Sequence, residues 1–384
     1  MSAWELATLD KLGFISRGRQ THYPKNDPNL FWKGTIPFVE TQDVKEAKLF
    51  VRQIRRYYNQ KGLEQGKLFP INTVCIASEG NIADSALLNK PSCLSCHVHG
   101  FNAYEGISCP RFIKYCFDFS SIKKECISVA QAGTTRLSLT SERLLTIKFP
   151  NPPFETQKKI GDILSAYDEL IENHQKQTEL LEKLRSDLYK EWFINLRFPN
   201  YEKYEIKDGL PEGWKKLKLK DIATIQKGKK PAGYANPNGE YPFFTCSFET
   251  QKSIDFSYDI SAILVASGGN FVAKKYRGKF EAMTDVFILT TSDLRMECLL
   301  FLNLKEELVN LNKMVVGTTI KHLSKEILSN IDLVIPNDNC LQEFNIFCED
   351  IQSKIEKLDA KMRRCEKIRD DLLNLLFKQA DNLN

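Results

Sequence analysis

No stretch of the 384 residues approaches the roughly 18 to 20 consecutive apolar side chains that a membrane span needs, so a membrane-spanning helix is excluded. The opening Met1-Ser-Ala-Trp-Glu5 lacks both the basic start and the apolar core of a secretory signal, so export is not expected. The cysteines number 11, odd and scattered through a chain too long for a disulfide scaffold, and are expected to stay reduced in the cytoplasm. Neither sign of charge dominates. With 54 Lys and Arg against 49 Asp and Glu, the balance of +5 permits a polyanionic partner without demanding one. There is no Gly-x-x-x-x-Gly-Lys-Ser/Thr phosphate loop, no Phe-x-Gly-x-Gly cofactor loop and no convincing cluster of nuclease carboxylates. Nothing assembles into a catalytic constellation, so the residues read as those of a binder. What is present is ample for folding: 42% hydrophobic and 27% charged residues, in a length that suggests two or three domains at about 150 residues each.

The organising feature is an internal repeat. Shifted by 184 residues, Ala132-Gly-Thr-Thr135 falls on Val316-Gly-Thr-Thr319. Leu139, Glu142, Leu144 and Ile147 then fall on Leu323, Glu326, Leu328 and Ile331, and Glu182-Lys-Leu-Arg185 falls on Glu366-Lys-Ile-Arg369. The register holds without a gap for about 60 residues. The starts of the halves match at a shift of 210, pairing Trp4, Leu9, Leu12, Ile15, Gly18 and Arg19 with Trp214, Leu219, Ile222, Ile225, Gly228 and Lys229. Ala77-Ser-x-Gly-Asn81 matches Ala266-Ser-x-Gly-Asn270 at a shift of 189. The first globular unit is therefore 26 residues longer than the second (210 minus 184). Short β-branched and aromatic runs such as Thr73–Ala77, Ala262–Ala266 and Val286–Thr290, punctuated by glycine and proline, predict two mixed, strand-rich domains over 1–150 and 214–336.

Long helices are predicted over 151–195 and 337–380, with 196–213 as a linker. From Ile160, alternating steps of four and three select Leu164, Tyr167, Ile171, His174, Thr178, Leu181, Arg185, Leu188 and Trp192. From Phe344 they select Cys348, Ile351, Ile355, Leu358, Met362, Cys365, Arg369, Leu372 and Leu376. A mean period of 3.5 is the seam of a coiled coil. Two such stripes most simply bury each other, along some 35 residues or roughly 50 Å. The blander alternative makes each helix a core element of its own domain. His174, Arg185 and Arg369 on the seam are expected to pair across the helices or with a partner.

Three motifs compete for chemistry. Asn151-Pro-Pro-Phe154 spells an amino-methyltransferase motif, yet no cofactor loop precedes it and its repeat counterpart, Val334-Ile-Pro-Asn337, lacks it. Prolines at the start of a helix account for it more simply. Cys93-Leu-Ser-Cys96-His97 spells a c-type haem attachment, which requires export. A zinc site from Cys93, Cys96, His97 or His99 with Cys109 or Cys116 stays open, although the second half has no equivalent. Basic segments favour nucleic acid: Trp214–Lys230 holds seven lysines against one acid, and Phe50–Lys61 sets arginines beside Tyr57 and Tyr58. Charge, polarity and repeat position select as DNA-contacting candidates Arg17, Arg19, Arg52, Arg55, Arg56, Tyr57, Lys61, Asn81, Thr134, Thr135 and Arg136 in the first half. In the second half they select Lys227, Lys229, Lys230, Asn270, Thr318, Thr319 and Lys321. Solvated surface is the competing reading for each.

Nearly the whole chain resembles the specificity subunit of type I restriction-modification systems. The resemblance rests on Leu210-Pro-Glu-Gly-Trp214 followed by Leu219-x-x-Ile222-x-x-Ile225-x-x-Gly228. It rests also on Gly133-Thr-Thr-Arg136 leading through Leu139-x-x-Glu142 and Phe149-Pro to Glu155-x-Gln157-x-x-Ile160, and on Ile163-Leu-Ser-x-x-Asp168-x-x-Ile171, repeated in degraded form from Gln342 with Gln352 in place of Asp168. The resemblance implies an α+β fold: two target-recognition domains joined by two long antiparallel helices forming a coiled coil, with pseudo-two-fold repeat. It implies recognition of a split, asymmetric double-stranded DNA site, with the helices as a spacer ruler that docks two methyltransferase subunits and, through them, restriction subunits. On this reading Ile160, Leu164, Ile171, Leu181, Leu188, Ile351, Ile355, Leu358, Leu372 and Leu376 form the helix interface. The chain has no catalysis and no cofactor of its own, S-adenosylmethionine and ATP being handled by the other subunits. Two rival readings remain: a stand-alone adenine methyltransferase built on Asn151–Phe154, and a tandem-domain scaffold whose helices contact only protein.

Overall fold

A computed structural model describes residues 4–131, 137–315 and 322–381. Thr134, Thr135, Arg136, Thr318, Thr319 and Lys321 lie outside the described residues. Backbone contacts divide the chain into two compact units, Met1–Gln177 with Lys357–Asn384, and Thr178–Glu356. Each unit thus takes one globular domain and one end of both long helices.

In the first unit a five-stranded sheet runs in the order Gly13–Arg17, Val98–Ala103, Val74–Ala77, Ser85–Leu88, Phe50–Val51. A second, four-stranded sheet carries Arg56–Tyr58, Ile36–Val39, Ser92–Leu94 and Leu68–Phe69. In the second unit a six-stranded sheet runs Ala223–Lys227, Val286–Thr291, Tyr258–Ala266, Ala273–Ala282, Tyr241–Phe244, Gln251–Ser253. The β-branched and aromatic runs form the central strands, because both their faces are covered. Both domains close in the same way. Ala7 pairs with Phe149 on a two-stranded ribbon in the first, and Leu217 pairs with Leu333 in the second. These residues match at shifts of 210 and 184, so the repeat read in the sequence is a repeat of hydrogen-bond register.

The first long helix runs Phe154–Tyr189 and continues as a π-helical turn, Lys190–Ile194; the second runs Asp338–Asp381. Inside the first unit, Ile160 and Leu164 share a core with Leu373 and Phe377, and Asp168 meets Arg369. Inside the second, Arg185 meets Gln352 and Trp192 packs on Phe344 at 5.6 Å between ring centroids. Rising numbers on one helix meet falling numbers on the other in each unit, so both ends are antiparallel. Ile160, Leu164, Ile171, Ile351, Ile355 and Leu358 are buried, whereas Leu181, Leu188, Leu372 and Leu376 are half-buried. At the last two turns of the second helix the buried positions are Leu373 and Phe377, one residue past the 3.5-residue seam. There the helix faces a globular domain and follows its natural 3.6 period: Phe377 stacks on Phe112 at 5.3 Å, with Trp4 edge-on to both.

The 196–213 segment, expected as a linker, has little regular structure yet is anchored. Phe198 is buried against Trp214 at 4.7 Å. Among the described residues no helix is long and apolar enough to cross a membrane.

Candidate nucleic-acid interface

Each unit builds the same edge from matching residues. In the first, the central strand Val98–Ala103 pairs Val98 with Ala77 on one side, and Val98 also accepts a hydrogen bond from the Gly18 N–H at 2.9 Å. In the second, Val286 pairs with Ala266 and accepts from the Gly228 N–H at 2.9 Å. A Cβ on Gly18 would lie 2.1 Å from the Ser95 carbonyl oxygen, and one on Gly228 2.3 Å from that of Met283. Only glycine lets the chain pass so close to the neighbouring strand. Next to each glycine is a turn. Ser78 precedes Gly80 at φ +72°, and Ser267 precedes Gly269 at φ +70°, the left-handed region that glycine enters without strain. Both serine hydroxyls donate to the strand opposite, Ser78 to the His97 carbonyl at 2.9 Å and Ser267 to the Asp285 carbonyl at 2.7 Å. Both serine carbonyls then accept from a leucine, the Leu139 N–H at 2.9 Å and the Leu323 N–H at 2.8 Å. Those leucines anchor the chain just beyond the paired Gly-Thr-Thr segments.

The tertiary fold therefore gathers Arg17, Arg19 and Asn81 at one edge of the first unit, and Lys227, Lys229, Lys230 and Asn270 at the corresponding edge of the second. In the first unit Arg17 donates to the Cys96 carbonyl and lies 3.8 Å from Glu79, which also contacts His97 at 3.0 Å. Lys25 reaches the same cluster, 3.4 Å from His97 Nε2. In the second unit Lys229 lies over the Tyr258 ring and Lys230 over Tyr234, with the buried Glu281 4.0 Å from the Lys230 ammonium. Lysines laid on aromatic faces keep their charge at the surface while their stems cover apolar area.

The start of the basic stretch Phe50–Lys61 lies away from this edge, whereas its Arg56 donates to the Lys25 carbonyl beside the edge. Phe50–Val51 runs parallel to Ser85–Leu88, so the chain leaves it at the end of the sheet opposite the Gly80–Asn81 turn. Arg52 then pairs with Glu172 on the first long helix at 2.7 Å. Arg55 pairs with Asp43 and Glu46, and Arg56 pairs with Glu40 while its guanidinium covers the Phe31 ring at 3.8 Å. Each of these three arginines, expected at DNA, is thus paired with an acid of its own unit. Tyr57 is half-buried beneath Lys90, and Lys61 is exposed on the short helix Gln60–Gln65 of the second sheet's side. Sequence reading missed Lys25, Glu79 and His97, which only the fold brings beside Arg17. The match of Gly18 to Gly228 marked the place, but not its neighbours.

The other motifs have structural roles. Gln157, buried, donates to the Asn151 side-chain oxygen at 3.0 Å and to the Pro152 carbonyl at 2.9 Å, and accepts from the Cys109 N–H at 3.0 Å. Asn151–Phe154 is thus the strapped start of the first long helix. Among the described residues no three His, Cys, Asp or Glu side chains come together as metal ligands. The residues of the zinc grouping that the sequence left open have other partners. Cys93 is buried in a strand, its thiol pushed up to about 11 by burial; His99 bonds the Leu139 carbonyl; Cys109 and Cys116 lie in the core.

The seam carries two polar pairs. Asp168, fully buried, accepts from Arg369 and from the Tyr115 hydroxyl. Arg185, also buried, donates to the Gln352 amide oxygen at 2.9 Å, while its Nε has no hydrogen-bond partner. A shift of 184 carries Asp168 to Gln352 and Arg185 to Arg369, so the pairs are repeat-equivalents, one ionic and one not.

The family model described as the type I restriction modification DNA specificity domain matches residues 1–183 and 211–360. The MjaIX type I restriction enzyme specificity subunit of Methanocaldococcus jannaschii is 25% identical, over 96% of this chain and 91% of that protein. The MjaVIII specificity subunit of the same organism is 26% identical, over 82% of this chain and 80% of its own length. The crystal structure of a type I restriction-modification S subunit from M. genitalium aligns with a TM-score of 0.62 at 15% identity, covering 96% of this chain and 95% of that one, a likeness of fold.

Proposed function

Because the chain belongs to the type I restriction modification DNA specificity family, and is a non-catalytic DNA-recognition component, we propose that it reads a bipartite, asymmetric double-stranded site with one half at each of its two edges. The observation that carries this reading is the edge built twice on one backbone plan, at Gly18, Ser78 and Gly80 and again at Gly228, Ser267 and Gly269, with different side chains displayed around it. A shared scaffold with divergent surface is what two different half-sites require. Arg17, Arg19 and Asn81, with Thr134, Thr135 and Arg136, would meet one half-site. Lys227, Lys229, Lys230 and Asn270, with Thr318, Thr319 and Lys321, would meet the other. Lysine and arginine supply phosphate contacts; asparagine and threonine supply base-edge hydrogen bonds.

The paired helices act as the ruler between half-sites and as the dock for two methyltransferase subunits, through which restriction subunits join. Since the seam residues are turned inward within each unit, docking falls to outward residues such as Ile163 and Leu170 at one end and Ile346 and Phe347 at the other, all exposed. Such a complex works on DNA in the cytoplasm. Methylation mapping of a genome in cells expressing the chain with its modification subunit tests the reading. A methylated adenine in a two-part motif, lost when the chain is deleted, is the expected result; unchanged methylation refutes it and favours the protein-only scaffold.

A further inference from the structure

The segment Arg19–Lys33 leaves the first unit's edge at Gly18 and passes through Gly34 into the strand Ile36–Val39 of the second sheet, and its two faces differ sharply. The inner face is pinned. His22 Nε2 lies 2.8 Å from the Tyr58 hydroxyl, and Phe31 packs on the Tyr58 ring at 4.8 Å beneath the Arg56 guanidinium. The Asn59 side-chain amide donates to the carbonyls of Asn29 at 2.8 Å and Trp32 at 3.2 Å. The one acid of the segment, Asp27, accepts from the Asn29 N–H at 2.9 Å. The outer face holds two large aromatic side chains in water, Tyr23 at 95% exposure and Trp32 at 71%. Arg19 and Lys33 are exposed beside them, and Lys25 ties the segment to His97 at the recognition edge.

We propose that this segment is a DNA-contacting finger of the first unit, in which Trp32 and Tyr23 lie against deoxyribose and the groove edges of the bases while Arg19, Lys25 and Lys33 meet phosphates. The proposal rests on the reading of the edge as a DNA-recognition surface and adds aromatic residues to it. An apolar ring held outward by a fixed backbone gains nothing within the chain, whereas a rigid presentation lowers the ordering cost of binding. On a duplex, rings presented with cations hold sugars and groove edges, or wedge between base steps, independently of hydrogen-bond readout. The matching segment after Gly228 differs. Its Tyr234 is half-buried beneath Lys230 and bonded to Asp255 at 3.1 Å, so the finger belongs to one half-site.

The test uses the full chain assembled with its modification subunits and a duplex carrying the methylated motif. Of the four tryptophans, Trp192 and Trp214 are buried and Trp4 packs edge-on in the core, so Trp32 is the one open to DNA. Binding should quench a fluorescence component that Trp32→Phe removes, with affinity held within about threefold by the remaining ring. Trp32→Ala should weaken target binding by about tenfold, on the scale of one large apolar side chain no longer buried on binding. Tyr23→Ala should act in the same direction, and the complex should still assemble in every case. An unquenched Trp32 with unchanged affinity in Trp32→Ala overturns the finger while leaving wild-type methylation, and so the recognition role, standing. Failure of Trp32→Ala to assemble overturns it in favour of a protein contact. A wild-type complex that methylates no motif overturns the recognition reading itself.

Discussion

Replacing Arg369 with methionine strands Asp168 in the core of the first unit. The carboxylate is fully buried, and with the guanidinium gone it keeps the Tyr115 hydroxyl as its remaining hydrogen-bond donor. Breaking a buried ion pair on one side costs about 3–5 kcal/mol, because the other charge stays desolvated. The Arg369 side chain is 22% exposed, so some water reaches the site and the lower end, about 3 kcal/mol, is expected. The repeat-equivalent change, Arg185→Met, should behave differently. It removes one hydrogen bond to a neutral amide, about 1.5 kcal/mol, and a weak contact over the Phe301 ring at 5.6 Å. It also removes a buried cation whose Nε has no partner, which offsets much of that loss. The net should be under about 1 kcal/mol. Scanning calorimetry of the two variants reads this asymmetry: at about 2–4 °C per kcal/mol for units of this size, Arg369→Met should lower its transition by about 6–12 °C and Arg185→Met by a few degrees at most. Equal shifts, or a larger one for Arg185→Met, would refute the argument that ionic and amide keys differ. A double change of Asp168 and Arg369 to leucine should recover most of the loss.

His99 is buried, its Nε2 bonded to the Leu139 carbonyl, and burial holds its imidazole below the ordinary 6.5. The unfolded chain takes up this proton first as pH falls, so the first unit should lose stability from about pH 6.5 down to the depressed value; His99→Gln should flatten that slope, and an unchanged slope in the variant would count against it. Lys229→Ala with Lys230→Ala should lower the slope of log affinity against log salt by up to about 2, near 0.9 per phosphate, whereas Arg52→Ala, already paired with Glu172, should leave it unchanged. A heptad inserted in both helices, between Ile171 and Leu181 and between Glu356 and Glu366, keeps both polar keys in register. It should lengthen the methylated motif's spacer by about three base pairs, from about 10 Å of added helix, with both half-sites intact. Altered half-sites in the mapped motif would sink the ruler.

Legibility of the site followed the kind of signal each residue carries. Gly18, Gly80, Gly228 and Gly269 were visible as repeat partners because close approach and positive φ admit little else, so both halves retain them. The ion pairs of Arg52, Arg55 and Arg56 were not legible because a cluster of charge in sequence says nothing of the acids that will face it. Glu172 is 120 residues from Arg52, and no local pattern links the two. The zinc alternative shows the same limit: Cys93 and His99 have suitable spacing but lie in strands that turn one into the core and bond the other to a backbone carbonyl.

The sequence by itself determined the architecture of this protein. Heptad spacing specifies two mutually burying helices, β-branched runs specify covered strands, and the shifts of 184, 189 and 210 residues specify two domains on one plan. The first two are local periodicities and the third is a match of the chain to itself, so each can be read without the fold. The tertiary structure alone decided which cations face water and which meet an acid, which seam groups come to be buried, and which aromatic rings stand outside a pinned loop. Each depends on groups far apart in the chain arriving within about 3 Å of one another, and the free energy of a charge or a ring is set by that arrival.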